Sequence, residues 1–520
     1  MRPLHALPPL ALLLSSAAFA QSRGEQWWHH VEVLAADDMK GRAIGTPEYD
    51  RAADYVIARF KALGLQPAGI DGWRLPVDIT RQTITRAAVT LDGQALSVPD
   101  DIVIARGGGP GPARTSAPLV FAGYGLHIPD VGHDDFAGLD LKGKIVVVVS
   151  GGPANISGAL KSDARSARGR YLAHAGALGV IAIATPKQIE IPWSRSKLRA
   201  VEPGMFLSDA GLRDLDRPFL SMSMNTDSAE KLFGGSGHSF ADVAALADAA
   251  RAVPTFALKP VLVADVSATQ VRVRSYDIVA KMPGSDPKLA GEHVVLSAHL
   301  DHLGVGAPIA GDTIYNGAMD DASGVANLLE IATKLRADGA RPKRSLLFTI
   351  VTGEEQGLLG SHAFAERPSV AKSSIVADLN FDMPLPLWPL RSVIVLGADE
   401  SSLGAAAKAT AEAQGLTLAP DPLPDRNAFI RSDQYSFIRA GYPSIAFKFG
   451  FALGTPEAQI EHDWRAVRYH SPSDDLAQPV QKEEAVRLND YVAALALRVA
   501  DAPERPTWNA NSFFRRFAAR

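Results

Sequence analysis

The chain has 520 residues, 47% of them hydrophobic, a formal net charge of −4 and no cysteine. That length calls for two or three domains, with ample apolar material for their cores. The slight acidity and the lack of a basic run exclude nucleic acid as the main partner, and the absence of cysteine excludes disulfides and a lipid-anchoring thiol.

Residues 1–20 read as a secretory leader, with Arg2, an apolar run through Leu12-Leu13-Leu14 and the small-x-small site Ala18-Phe19-Ala20. The run is too short for a membrane span, so an exported protein, periplasmic or extracellular, is expected. Residues 21–110 open with a helix. A second helix starts at Thr46-Pro47-Glu48, with threonine as cap and proline in the first turn. Ala53, Val56, Ile57, Phe60 and Leu63 form its apolar face, and Gly64 or Gly69 ends it. Gly107-Gly108-Gly109-Pro110-Gly111 lacks the GxxxxGK[ST] pattern and a following helix, so it reads as a linker rather than a phosphate cradle.

Residues 115–250 form a second unit. Strands are predicted at 119–125, 144–149 and 180–184, with a helix from Arg168 to Leu178. Phe136-Ala137-Gly138-Leu139-Asp140-Leu141-Lys142-Gly143-Lys144, ahead of an apolar strand, resembles the protease-associated (PA) domain. That resemblance implies a smaller, β-rich, non-catalytic insert acting as a lid or substrate restrictor. Over residues 256–520 strands and helices alternate, which predicts an α/β sheet. Further helices are expected at 405–414 and 481–499, and Trp508, Phe513 and Phe514 read as packing groups.

Five clusters in this last part offer metal ligands. Val294-Val295-Leu296-Ser297-Ala298 reads as a buried strand that ends at His299, where open α/β sheets place their sites. We assign His299 as a ligand and Asp301 as the carboxylate that holds its other ring nitrogen. Asp320 and Asp321 precede an apolar-faced helix. One acid caps it, and the other has no structural need. Asp320 is therefore assigned as a carboxylate bridging two metals and Asp321 as helix cap or as a support behind the ligands. The buried run 345–351 ends at Gly353-Glu354-Glu355. Adjacent glutamates repel unless a cation lies between them, so Glu355 is assigned as ligand and Glu354 as the general base that deprotonates water. Asp382, between Phe381 and Met383, is costly to bury alone and is assigned as a ligand. His470, in the loop Tyr469-His470-Ser471-Pro472-Ser473-Asp474-Asp475, completes the set. Of the 13 histidines only these two are claimed, and His302 is read as structural or solvent-facing. Imidazole and carboxylate suit zinc. Asp320, Glu355 and Asp382 bring three negative charges, and two divalent ions leave a net charge of plus one for a hydroxide to neutralise.

The order HxD, DDASG, GEEQGLLGS, NFDM, YHSPSDD resembles the zinc aminopeptidase family M28. The resemblance implies a mixed, largely parallel central sheet flanked by helices, with the PA-like insert splitting the peptidase domain into 21–110 and 256–520. It implies two zinc ions, or other divalent metals. His299 and Asp382 would hold one, Glu355 and His470 the other, and Asp320 would bridge them. It also implies a cis peptide between Asp320 and Asp321, and peptide substrates cleaved at their N-terminal residue. Three prolines and Trp388 after Asp382 depart from the family pattern. Arg431 and Asp433, beside a Ser432-Asp433-Gln434 segment similar to the family's SDH, are candidate pocket residues. Other outcomes on the same fold are a carboxypeptidase or dipeptidase, a glutaminyl-cyclase-like transferase, or a non-catalytic receptor relative. No HExxH helix or GxSxG elbow is present.

Overall fold

The computed structural model describes residues 21–105, 111–189, 191–199, 202–215 and 217–518. The leader-like residues 1–20 lie outside that range, as does the glycine-rich linker apart from Gly111.

The buried apolar runs of the C-terminal half become neighbouring strands. Ile375–Asn380, His293–His299 and Ser345–Val351 lie side by side and parallel, and every residue of the three is buried. Continuous burial requires helices on both faces of a parallel sheet. One face is covered by the helices Arg23–Leu34, Ser323–Ala337 and Lys482–Asp501, whose Trp27, Val31, Leu328, Leu335, Leu488 and Leu495 enter one core with the strands. The helix Pro47–Ala62 joins them, with Thr46 Oγ1 accepting from Tyr49 N and Gly64 (φ 69°) past its end, as its sequence predicts. Ser444–Phe449 extends the sheet in parallel, and Ser392–Leu396 then pairs antiparallel.

On the other side the sheet continues into a second lobe. Thr255–Met282, 28 residues long, pairs antiparallel with Ser345–Val351 near its end and with Arg114–Ala122 near its start. Beyond it Arg114–Ala122, Ile145–Val149, Gly179–Ile183 and Leu220–Met224 run parallel. This lobe has its own core, drawn from residues between Val89 and Ala264 and so wider than the expected 115–250. Its helix runs from Gly158 to His174, ten residues ahead of the expected start. Ser157 caps it through Leu160 N, and its first turns show few apolar residues, so periodicity alone places the start too late.

Ion pairs and hydrogen bonds tie the lobes together. Arg439 meets Asp214 at 2.7 Å, Arg516 meets Asp130 at 2.6 Å, and Tyr435 Oη donates to Asp163 at 3.0 Å. Trp508, Phe514 and Phe517 near the C-terminus pack into a core beside this junction. No helix among the described residues is long and apolar enough to cross a membrane.

Candidate metal centre

The parallel strands deliver the ligand candidates to one end of the sheet. His299 is the last residue of its strand, Glu354 and Glu355 follow Val351 by a short turn, and Asp382 follows Asn380 by two residues. Asp320 arrives from the loop ahead of the helix Ser323–Ala337, and His470 (φ 52°) from the loop after Val467. The Asp320–Asp321 peptide is cis, as the resemblance implies. Gly317 (φ 63°) is required where this loop folds back, because a Cβ there would stand 2.2 Å from the Asp320 carbonyl and 2.5 Å from the His302 ring.

Asp320 lies at the middle of the cluster. Its Oδ1 is 3.3 Å from His299 Nε2 and its Oδ2 is 3.3 Å from His470 Nε2. His470 Nε2 is also 3.3 Å from Glu355 Oε2. Two donors on one tetrahedral zinc stand roughly 3.3 Å apart when each is about 2.0–2.1 Å from the metal, so these separations match a shared ion. The donor atoms of His299, Asp320 and Asp382 lie within 4.8 Å of one another, and so do those of His302, Asp320 and Glu355. His299 Nε2, His302 Nε2, Asp320 Oδ2 and Asp382 Oδ1 are buried without a hydrogen-bond partner. Buried polar atoms are normally satisfied, and a convergent set left open in two overlapping groups fits a pair of metal ions.

Electrostatics follow from this crowding. Burial favours a neutral Asp320, but His299 and His470 beside it outweigh that and hold its carboxyl well below the usual range. Burial pushes Glu354 well above it. Glu354, Glu355, Asp320 and Asp382 line a cavity of about 230 Å³ together with Arg431, Lys448, Arg465 and Tyr469.

Several roles differ from the sequence reading. Asp301 does not meet His299 through its carboxylate. Its backbone carbonyl lies 3.0 Å from His299 Nδ1, while Oδ1 accepts from Gly353 N at 2.6 Å and Glu354 N at 3.3 Å. The main chain therefore orients the histidine, because the carboxylate is turned to the Gly353 and Glu354 amides and holds the Glu354 turn. Asp321 does cap, accepting from Gly324 N at 3.0 Å, and it also accepts from Met383 N at 3.2 Å. Arg431 lines the cavity. Asp433 does not: it is fully buried near His299, Asp301 and Asp382, and burial raises its carboxyl to about 7. His302, read as structural or solvent-facing, is 2% exposed with Nδ1 2.8 Å from Glu355 Oε1. The signal for it was a second imidazole only three residues after His299. Asp474 has a role that its loop position does not signal. Its two oxygens accept from Met319 N and Asp320 N at 3.0 Å each, holding the Asp320 main chain from the His470 loop.

Residues 277–496 match the model of peptidase family M28. The chain carries an M28 peptidase domain. Every ligand candidate and Glu354 fall inside the M28 match. Among curated proteins, the chain is 30% identical over 217 residues to a "Probable leucine aminopeptidase" of Arthroderma otae, covering 41% of this chain and 55% of that protein. It is 33% identical over 115 residues to Carboxypeptidase Q of Xenopus laevis, covering 22% of each. The chain thus spans about half of the first relative and about a fifth of the second. Among solved structures, the aminopeptidase from Aneurinibacillus sp. strain AM-1 aligns over 93% of this chain and 95% of its own, at 20% identity and a TM-score of 0.54. That likeness shows that the M28 domain and the second lobe share one overall fold with a known protein.

Proposed function

We propose that this protein is an exported two-zinc aminopeptidase that removes N-terminal residues from peptides. The observation that carries the reading is Glu354 lining a cavity beside two overlapping donor triads that share Asp320. His299 and Asp382 would hold one zinc and Glu355 with His470 or His302 the other. The name of the Arthroderma otae relative supports action at the amino end. The leader-like residues 1–20 support export, and the second lobe corresponds to the proposed PA-like insert.

A zinc pair, when bound, supplies Lewis-acid polarisation of the scissile carbonyl and lowers the pKa of the attacking water. Glu354 takes a proton from that water as its oxygen bonds to the carbonyl carbon. The same carboxyl returns the proton to the leaving nitrogen as the C–N bond breaks. Asp301 holds the backbone of Gly353 and Glu354 and so fixes the direction of that carboxylate. Lys448 Nζ donates to the carbonyl of Asp382, and to that of Met383 at 3.1 Å, holding the Asp382 loop against the cavity floor.

Arg431 and Arg465 in the cavity wall favour a second reading, a dipeptidase or carboxypeptidase that grips the substrate carboxylate. Mass spectrometry of products from a mixture of free, N-acetylated and C-amidated peptides separates the two, with Glu354→Ala as control. Stepwise loss of N-terminal residues, blocked by acetylation and absent in the variant, is expected. Cleavage that ignores acetylation but stops on amidation would transfer the claim to a carboxypeptidase.

A further inference from the structure

The short helix Trp193–Arg199 of the second lobe is tied to its own lobe at two points. Trp193 Nε1 donates to the carbonyl of Pro99 at 3.2 Å, and Lys197 Nζ meets Asp100 at 2.6 Å. Between these two residues in the chain, Arg195 reaches across to the peptidase domain. Its Nη1 donates to the carbonyl of Ala466 and its Nη2 to that of Tyr469, each at 2.6 Å. Ala466 lies in the last turn of the helix Pro456–Val467, where the ladder leaves carbonyls open, and Tyr469 directly precedes His470. One guanidinium thus spans the end of that helix and the entry to the His470 loop, and its planar fork holds two acceptors in fixed directions. The loop needs such support. His470 has a φ of 52°, a conformation that a side-chain-bearing residue keeps only where its surroundings impose it. The peptide between Tyr469 and His470 sets where the imidazole points, and Arg195 holds the oxygen of that peptide. On the far side Asp474 pins the same loop to the main chain of Met319 and Asp320. The Tyr469 ring stacks on the His470 ring with centroids 3.8 Å apart. Held in this way, His470 Nε2 stands 3.3 Å from both Asp320 Oδ2 and Glu355 Oε2.

We propose that Arg195 is a positioning residue for His470, through which the second lobe sets the affinity of the zinc beside Glu355. The inference rests on the two-zinc reading with His470 as a ligand. A zinc site holds its donors to within about 0.2 Å, and the groups that orient a ligand contribute about 10–100-fold in metal affinity. Arg195 does this from outside the peptidase domain, so the metal centre is complete only with the second lobe in contact. His299, Asp382 and Asp320 arrive on other elements, so the effect is confined to one of the two ions.

The test measures both zinc dissociation constants of the full chain by competition with a chromophoric chelator. It compares the parent, Arg195→Gln, His470→Ala and the variant carrying both changes. Metal binding is read without substrate, so the outcome does not depend on which end of a peptide is cut. Arg195→Gln is expected to weaken one zinc by about tenfold or more and to leave the other unchanged. In the His470→Ala background, which keeps one zinc, Arg195→Gln is expected to change nothing, because the residue acts through that ring. Arg195→Lys, which keeps the charge but not the fork, is expected to weaken the same ion by less. It carries the test alone where Arg195→Gln does not fold. A purely structural role would weaken both zincs alike, or would also weaken the zinc that His470→Ala retains, and either result overturns the proposal. Loss of one zinc in His470→Ala with parental constants in Arg195→Gln overturns it too, while leaving the ligand reading in place. Two zincs retained in His470→Ala would remove the ligand reading and the proposal together.

Discussion

The guanidinium of Arg42 donates through Nε to the carbonyl of Leu300 at 2.9 Å, one residue past His299. Its other nitrogens reach the carbonyls of Leu34, Asn316 and Gly317. One fully buried cation thereby fastens the first helix, the loop after the His299 strand and the loop that brings in Asp320. Burial lowers its pKa to about 10, so it stays charged at neutral pH. Its replacement by alanine leaves these carbonyls without a donor. Each orphaned group costs about 1–3 kcal/mol, so Arg42→Ala is expected to lower unfolding stability by about 3 kcal/mol or more, read by urea denaturation. Arg42→Lys should recover only part of this, because an ammonium cannot span the fork. A loss below about 1 kcal/mol would mean that water replaces the clamp.

Zinc content should divide the cluster residue by residue. Asp320→Ala is expected to empty both positions. His299→Ala or Asp382→Ala should remove one ion and Glu355→Ala the other, measured by inductively coupled plasma mass spectrometry of dialysed protein. His302→Ala and His470→Ala decide between the two imidazoles near Glu355. If His302→Ala keeps its full zinc complement, that ring supports Glu355 and the ligand is His470.

Glu354→Gln is expected to retain zinc and KM while kcat falls by about 10²–10⁴, the usual contribution of a positioned general base. A kcat within tenfold of the parent would show that another group takes the proton.

Two histidines outside the donor cluster predict acid sensitivity. His30 and His293 are buried, and burial lowers both to about 4 from an ordinary value of 6.5. Both stay neutral in the folded chain down to about pH 4, yet take protons at about 6.5 once released. Between those values the unfolded chain binds more protons, so stability is full above about 6.5 and falls as pH drops toward 4. His293→Gln, which can keep the contact with Ser374 Oγ, should flatten that slope in urea midpoints measured from pH 7 to 4.5. An unchanged slope would remove His293 from the account.

Most of the parallel sheet was legible because burial on both faces writes continuous apolar runs. Val294–Ala298 and Ser345–Val351 announce themselves, and open α/β sheets place their sites directly after such strands, which made the following polar residues the candidates. What stayed hidden were interactions across long stretches of chain. Arg42 sits in Lys40-Gly41-Arg42, which has no apolar periodicity, yet three of the carbonyls it holds lie some 260 to 275 residues away. Asp301 shows the complementary error. A carboxylate two residues from a ligand suggested a partner for the ring, but backbone geometry gave that task to the carbonyl. Asp433 looked like a pocket residue from its neighbours, and only packing shows that it lies beneath the floor.

The strand Thr255–Met282 has a consequence for how the chain joins its two lobes. The second lobe is entered through Arg74–Leu91 and left through Thr255–Met282, and these pair antiparallel from Arg74 with Ile278 to Leu91 with Leu262. Entrance and exit are thus two sides of one ribbon. Along the chain the whole lobe is therefore an excursion from one hairpin. The peptidase domain thus meets its companion along the chain at one hairpin, and every candidate metal ligand lies in the sequence after it.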